Sequence, residues 1–370
     1  MPYKISGTLN DSARILVLKE SDWSIESNSL ESVGDYEIED LVSGTKTVFA
    51  INEYGEVIGY GDVSVTYYAP SIGDRAVFAG GMDSGNDRTN IIGYTAIATL
   101  SDATDFGDLS SANRNSSASS NGPNNRCIFG GGWFDPNITN TIEYITISSI
   151  GNVTNFGDLT GERRSLSSTS NRTNNRSVFI AGYDGEQVNT IDYITISTTG
   201  NATDFGDSID VKLSHASTSN GESNRGVTAG GYDGNSYLNT IDYITITSTG
   251  NATDFGDLTG TKHNLTSTSN GTNERGVFVG GMDMGQIVNV ILYITISTTG
   301  NASDFGDLSR ESYGMAGASN FTGNRGLFGG GYNSGHLNII DYITISTTGN
   351  ASDFGDLTEA RCYISACSNG

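Results

Sequence analysis

The sequence predicts an all-β protein: a six-bladed β-propeller closed by its own termini and preceded by a small β-sandwich. Three features point that way. A phrase that reads YITISTTGNASDFGDL at Tyr293 to Leu308 recurs six times, with its phenylalanine at Phe106, Phe156, Phe205, Phe255, Phe305 and Phe354, a spacing of 49 or 50 residues. A period of that length marks stacked supersecondary units, and each unit holds four short strand-like runs, the content of a propeller blade. Finally, 49 glycines with abundant Ser, Thr and Asn but only 4 prolines suit many tight turns, because Gly and Asn accept the positive φ that such turns require.

Charge and cysteines narrow the classes. Acidic residues outnumber basic ones 42 to 19, giving a net charge of -23, which argues against binding a phosphate backbone and hence nucleic acid. No apolar core of a secretion signal follows MPYKISGTLN and no run is long enough to span a bilayer, so a soluble chain without membrane span is expected. Cys127, Cys362 and Cys367 have no metal-like spacing. The last two share one expected strand, Arg361 to Ser368, and point to opposite faces; all three are expected as buried free thiols.

Residues 1–70 carry no repeat. Runs at Tyr3 to Leu9, Arg14 to Lys19, Tyr36 to Leu41, Lys46 to Asn52 and Val57 to Tyr68 read as strands of the sandwich, broken at Ser43-Gly44 and Tyr54-Gly55. Alternation in KTVFAI and DVSVTY sets one face on a core. Ala69 to Asp74, with Pro70 and Gly73, reads as the linker, so the expected domains are 1–70 and 71–370. The passage GDYEIEDLVSGTKTVFAINEYGEVIGYGDV resembles transthyretin-like (carboxypeptidase-regulatory) modules and is similar to N-terminal modules on tail and other virion proteins of tailed phages. It lies within the first fifth of the chain and implies an attachment module.

From Arg75 each unit supplies four strands. In one copy, Arg225 to Gly231 is followed by Thr240 to Thr247, a turn at Gly250-Asn251, and Thr253 to Leu258; then comes Asn264 to Asn270, which turns at Gly271 into the next Arg275. Ile241, Tyr243, Ile244 and Ile246 put apolar groups on both strand faces, as a blade covered on both sides requires. SSASSN, SSTSN, HASTSN, LTSTSN, MAGASN and ISACSN hold few large residues, as fits strands that converge on an axis. The series apolar-Gly-Gly, Tyr or Met with Asp-Gly, Asn-x-Ile-x-Tyr and an aromatic before a short strand resembles the kelch repeat, over Arg75 to Gly370. Kelch repeats place Trp where Phe106 and its equivalents stand, so the repeats are kelch-like. The first unit begins at its second strand, Arg75 to Gly81, and the chain ends on an unused inner strand, Arg361 to Ser368. Together these complete one blade and close the ring without an exposed edge.

Loops after the inner strand and after the Tyr strand are nearly identical in all copies, whereas loops after Gly-Gly and before the inner strand differ. In an up-and-down blade the two variable loops share a face, so the disc has one uniform and one individual face. The candidate binding set on the individual face is Arg163, Arg164, Lys212, His215, Lys262, His263, Arg310, Tyr313, Arg361, Trp133, Tyr237 and His336; Arg88, Arg114, Phe134, Tyr183, Tyr232 and Tyr332 map nearby. Arg163, Lys212, Lys262 and Arg361 occupy one equivalent position, expected around the mouth. A cationic and aromatic rim suits a sugar or an acidic group. The alternative is that these bases pair with Glu162, Asp210, Glu311 and Glu359 in the same loops.

Repeated Asp-Phe-Gly-Asp reads as Asx-turn and backbone hydrogen bonding; two carboxylates supply too few oxygens for Ca²⁺. The Arg that opens each Gly-Gly strand is expected to pair with one of those acids on an adjacent blade. Asn152, Asn201, Asn251, Asn301 and Asn350 head Asn-x-Ser/Thr triplets and read as turn residues. The histidines lie in different blades without a repeated Ser or Cys partner and no carboxylate pair belongs to one blade, so no catalytic set, cofactor or metal is expected. Kelch-like enzymes of the galactose oxidase kind use copper held by Tyr, His and Cys, and those ligands cannot be placed here. The resemblances imply a non-enzymatic virion structural or appendage protein of a tailed phage. Residues 1–70 would then dock on other virion proteins, with homo-oligomerisation open, and the propeller would bind a host-surface glycan or a neighbouring subunit. The alternatives are a kelch-like protein- or carbohydrate-binding module of a bacterial surface or cytosolic protein, and a carbohydrate-active enzyme.

Overall fold

The computed structural model describes residues 3–9, 13–19, 25–31, 34–41, 44–51 and 57–65 as backbone strands, and residues 74–134 and 136–370 with their side chains. The chain divides into two compact units, Met1–Gly73 and Asp74–Gly370. In the first, Tyr3–Leu9 pairs with Gly34–Leu41, while Ile25–Glu31, Ala13–Lys19, Gly44–Ile51 and Val57–Val65 form an antiparallel sheet in that order. Ile25–Glu31 is a strand not apparent in the sequence, because IESNSLE lacks both clean alternation and β-branched density. The breaks at Ser43 and Tyr54-Gly55, the end of the last run at 66–68, the linker at 69–73 and the facing of these strands' side chains lie outside the described residues.

The second unit is a six-bladed propeller. Each blade is an up-and-down antiparallel sheet of inner, second, third and outer strands, in blade 4 Ala216–Ser219, Arg225–Ala229, Thr240–Thr245 and Thr253–Asp257. Blade 1 is assembled from both ends: Ser365–Ser368 pairs with Arg75–Ala79, followed by Ile91–Ala96 and Thr104–Asp108. Hydrophobic clusters straddle the seams between neighbouring blades. Between blades 1 and 2, Ile92, Phe106 and Leu109 meet Phe129, Ile145 and Ile147. Both faces of a third strand are apolar because both are covered, and each such Ile or Phe contributes about 1.5–3 kcal/mol by burial.

Residues that never change are those that stitch seams. Ser120, Ser170, Ser219, Ser269, Ser319 and Ser368 each donate from Oγ to the carbonyl of the equivalent serine in the preceding blade, at 2.5–2.7 Å, a closed ring around the axis. The Arg that opens each second strand does not pair with an acid, contrary to expectation. It donates to an Ile carbonyl of the next blade at 2.9–3.2 Å and lies over the Tyr of its own third strand at 4.2–5.0 Å. A planar cation can satisfy a carbonyl and a ring at once without a buried carboxylate.

Asp-Phe-Gly-Asp forms the expected strand and backbone hydrogen bonds and not an Asx-turn. It is the outer strand, with Phe in the seam and Gly where a side chain has no room: a Cβ on Gly157 would lie 2.3 Å from the Gly200 carbonyl oxygen of the next blade. The second Asp of the phrase gives its N–H to Oδ1 of the Asn in the next blade's turn, as Asp108 does to Asn152 at 3.0 Å. Asp102 substitutes for that Asn where Asp356 closes the ring.

The cysteine expectation also needs correction. Cys127 and Cys367 form a disulfide between blades 2 and 1, across 240 residues, leaving Cys362 as a buried free thiol. Both bonded cysteines belong to the cluster at the seam between blades 1 and 2, a proximity created by ring closure. Arg361 to Ser368 is not one strand: Tyr363, at φ 55, separates Arg361–Cys362 from Ser365–Ser368.

Candidate functional site

In each blade the loop before the inner strand pairs with the loop after Gly-Gly: Cys362 with Met82, Arg114 with Trp133, Arg164 with Tyr183, Leu213 with Tyr232, His263 with Met282 and Tyr313 with Tyr332. These pairs form the individual face. Inside them runs a second ring, made of main chain. Asn115, Ser165, Ser214, Asn264, Gly314 and Tyr363 all have φ between 52 and 67, and each donates its backbone N–H to the carbonyl of the preceding member at 2.7–3.1 Å. They form the lip of an axial cavity of ≈ 150 Å³ whose wall mixes serine and threonine hydroxyls with Ala, Leu, Met and Ile side chains. At the opposite end Arg172 and Phe321, from opposite blades, stack at 3.5 Å across the axis. The equivalent Gly122, Gly221 and Gly271 leave space for them; a Cβ on Gly271 would overlap the Phe321 ring.

The four equivalent bases expected around the mouth lie beneath it, buried. Arg163 pairs with Asp192, Lys212 with Asp242 at 2.6 Å and Lys262 with Asp283 at 2.9 Å, while Arg361 donates to the carbonyls of Gly80, Ile91 and Phe78. Ion pairing therefore prevails over a ligand role, with different acids from the loop carboxylates expected. Asp192 and Asp242 stand at one position of the third strand, facing the core, where hydrophobic periodicity leaves no hint of a buried charge. Blade 5 has Leu292 there, and its Lys262 turns to the loop acid Asp283 instead. Burial lowers the Arg163 guanidinium from its usual value and lowers that of Arg361 to about 10. Where that position holds Asn113 or Ser312 in place of a base, burial raises the Glu143 and Asp341 carboxyls above the usual range.

Of the remaining predicted residues, the structure gathers most at the mouth. Trp133 has the guanidinium carbons of Arg88, Arg114 and Arg164 within 4.6, 4.6 and 4.9 Å of its ring, and Arg164 also covers Tyr183 at 4.6 Å. Arg114 reaches Tyr363 at 5.9 Å, Tyr363 meets Tyr313 at 6.0 Å, Tyr313 meets Tyr332 at 5.5 Å, and Tyr332 meets His336 edge-on at 5.2 Å. The result is an arc, cationic over blades 1 to 3 and aromatic beyond. Tyr237 stacks flat on His263 at 4.2 Å, a separate pair on blades 4 and 5. Arg310 is exposed away from the arc, within electrostatic reach of Asp341.

His215 lies in the cavity wall, 5% exposed, with neither ring nitrogen in hydrogen-bond geometry. Burial, reinforced by the Lys212 ammonium, holds its pKa well below 6.5. Burial likewise lowers His263 and raises Tyr313 and Tyr363 from their ordinary values. Tyr363 is absent from the predicted set because its segment reads as one continuous strand. Alignment with Asn115, Ser165, Ser214, Asn264 and Gly314, all turn formers, is the signal that exposes it.

Among the described residues no helix is long and apolar enough to cross a membrane, and no three His, Cys, Asp or Glu side chains converge as metal ligands would. The chain matches no known protein family and no curated protein sequence.

Proposed function

We propose that this is a non-enzymatic binding protein whose individual face receives a saccharide at the mouth of the axial cavity. The observation that carries it is the arc from Tyr183 through Trp133 to Tyr332, set over a cavity lined in part by hydroxyls, on the individual face. Tyrosine faces stack on sugar rings and serine hydroxyls match sugar hydroxyls. The resemblance of residues 34–63 to phage modules adds the setting: the protein belongs to a tailed-phage particle, with the N-terminal unit attached to other virion proteins and the propeller presented to a host-surface glycan. A kelch-like protein-binding module is the second reading, favoured by Ile209, Val211 and Met284, the last 79% exposed, on loops of the same face.

The test applies the full chain to host envelope polysaccharides. Binding is expected, with at least tenfold weakening by Tyr313→Ala or Tyr363→Gly. Antibodies to the protein are expected to label virus particles. Absence of binding to any envelope saccharide overturns the ligand, and label confined to uninfected cells overturns the setting.

A further inference from the structure

Resting on that saccharide reading, we propose that the ligand is acidic: a carboxylated sugar whose carboxylate is received by Arg114 and Arg164 beside Trp133. Three guanidiniums crowd one indole in a chain of net charge -23. Among the described residues, no carboxylate lies within ion-pair distance of Arg114 or Arg164, whereas three of the four buried bases below them pair with acids and the fourth, Arg361, donates to carbonyls. Arg114 instead gives one Nη to the Met82 sulfur at 2.8 Å. Desolvation, then the positive charges of Arg88 and Arg164, lowers its pKa, so the cluster is held together against its own repulsion.

Trp133 does not serve as the sugar platform. Three guanidiniums within 5 Å occupy its faces, so the indole holds the arginines in place and the stacking surface falls to Tyr363 and Tyr313 next along the arc. A planar guanidinium fork matches a carboxylate with two parallel N–H···O bonds. Tyr363 supports the same site from the backbone: a tyrosine at φ 55 is strained where its five counterparts are Asn, Ser or Gly, and strain of this kind concentrates at ligand sites. Beside these residues the cavity wall offers serine and threonine hydroxyls that suit a sugar's own.

The experiment is titration calorimetry of the full chain with uronic-acid-terminated oligosaccharides and with their methyl esters. The acid form is expected to bind at least tenfold tighter than the ester and to weaken with salt. Arg114→Gln with Arg164→Gln should abolish that difference while leaving thermal unfolding in place. Equal binding of acid and ester, or an acid preference unchanged in the double variant, overturns the carboxylate assignment and leaves saccharide binding standing. Failure of every saccharide, with arginine-dependent binding of poly-glutamate, overturns both.

Discussion

The two ends of the six inner strands close their rings by different chemistry. At the uniform end the links between blades are side chains: a serine Oγ donating to a carbonyl, an asparagine bridging to its neighbour, an arginine donating to an isoleucine carbonyl. At the individual end the links are backbone N–H groups donating to backbone carbonyls. A link made by a side chain fixes the residue, whereas one made by main chain fixes only a positive φ. The face whose closure is carried by backbone is therefore free to diversify, and the mouth arc grew there. Tyr363 marks the limit of that freedom, being the one bulky residue among the six at the lip.

Freedom at the lip stops two residues earlier, at the buried bases. Lys212 and Asp242 are both fully buried, and only Ser208 otherwise bonds the carboxylate. Lys212→Ala should destabilise by about 3–5 kcal/mol, because it strands a charge in the core. Lys212→Met with Asp242→Leu, which copies the Leu292 position of blade 5, should fold within about 2 kcal/mol of the parent. Arg164→Ala, in the pairs outside the lip, should change stability by less than about 0.5 kcal/mol. Urea unfolding ranks all three, and a Lys212→Ala as mild as Arg164→Ala would place that lysine with the free surface.

His215 tests the cavity wall, where its equivalents are Ser116, Leu166, Leu265, Met315 and Ile364. The unfolded chain takes up a proton as pH falls through 6.5 and the folded chain, whose imidazole is held lower, does not. Stability contributed by the neutral ring is thus present above pH 6.5 and declines below it, by as much as about 1.4 kcal/mol per pH unit. His215→Leu should flatten that acid limb. Thermal unfolding from pH 7.5 to 5 reads the slope, and parallel slopes in parent and variant would remove His215 as the cause.

Fold and site were unequally legible. The six Phe positions, the small inner strands and the surplus final strand gave blade number, strand order and closure, because a repeat that packs against itself must state its contacts in each copy. The division into two faces followed from the same bookkeeping. Burial of Lys212 was not legible, since the Asp242 that meets it sits at a core-facing strand position 30 residues on. The Cys127–Cys367 bond was hidden for a similar reason: it depends on neighbours created only when the ring closes. Arg114 and Arg164 could be assigned to the face, but their convergence on one tryptophan is a property of three loops together.

The smallest effect separates the two closures most directly. Ser219 donates Oγ to Ser170 O at 2.7 Å and accepts the Gly221 N–H, so Ser219→Ala should lose about 1 kcal/mol. Ser214, five residues earlier and just ahead of that strand, at φ 56, is linked through its N–H to Ser165 O at 2.8 Å. Ser214→Gly keeps that donor and relieves the left-handed conformation, so it should be neutral or gain a few tenths of a kcal/mol, within the relief of about 1 kcal/mol set against the entropy of glycine. Chemical denaturation of the two variants side by side decides it. Equal losses would mean that side chains close both ends of the ring, and the individual face would then need another source for its variety.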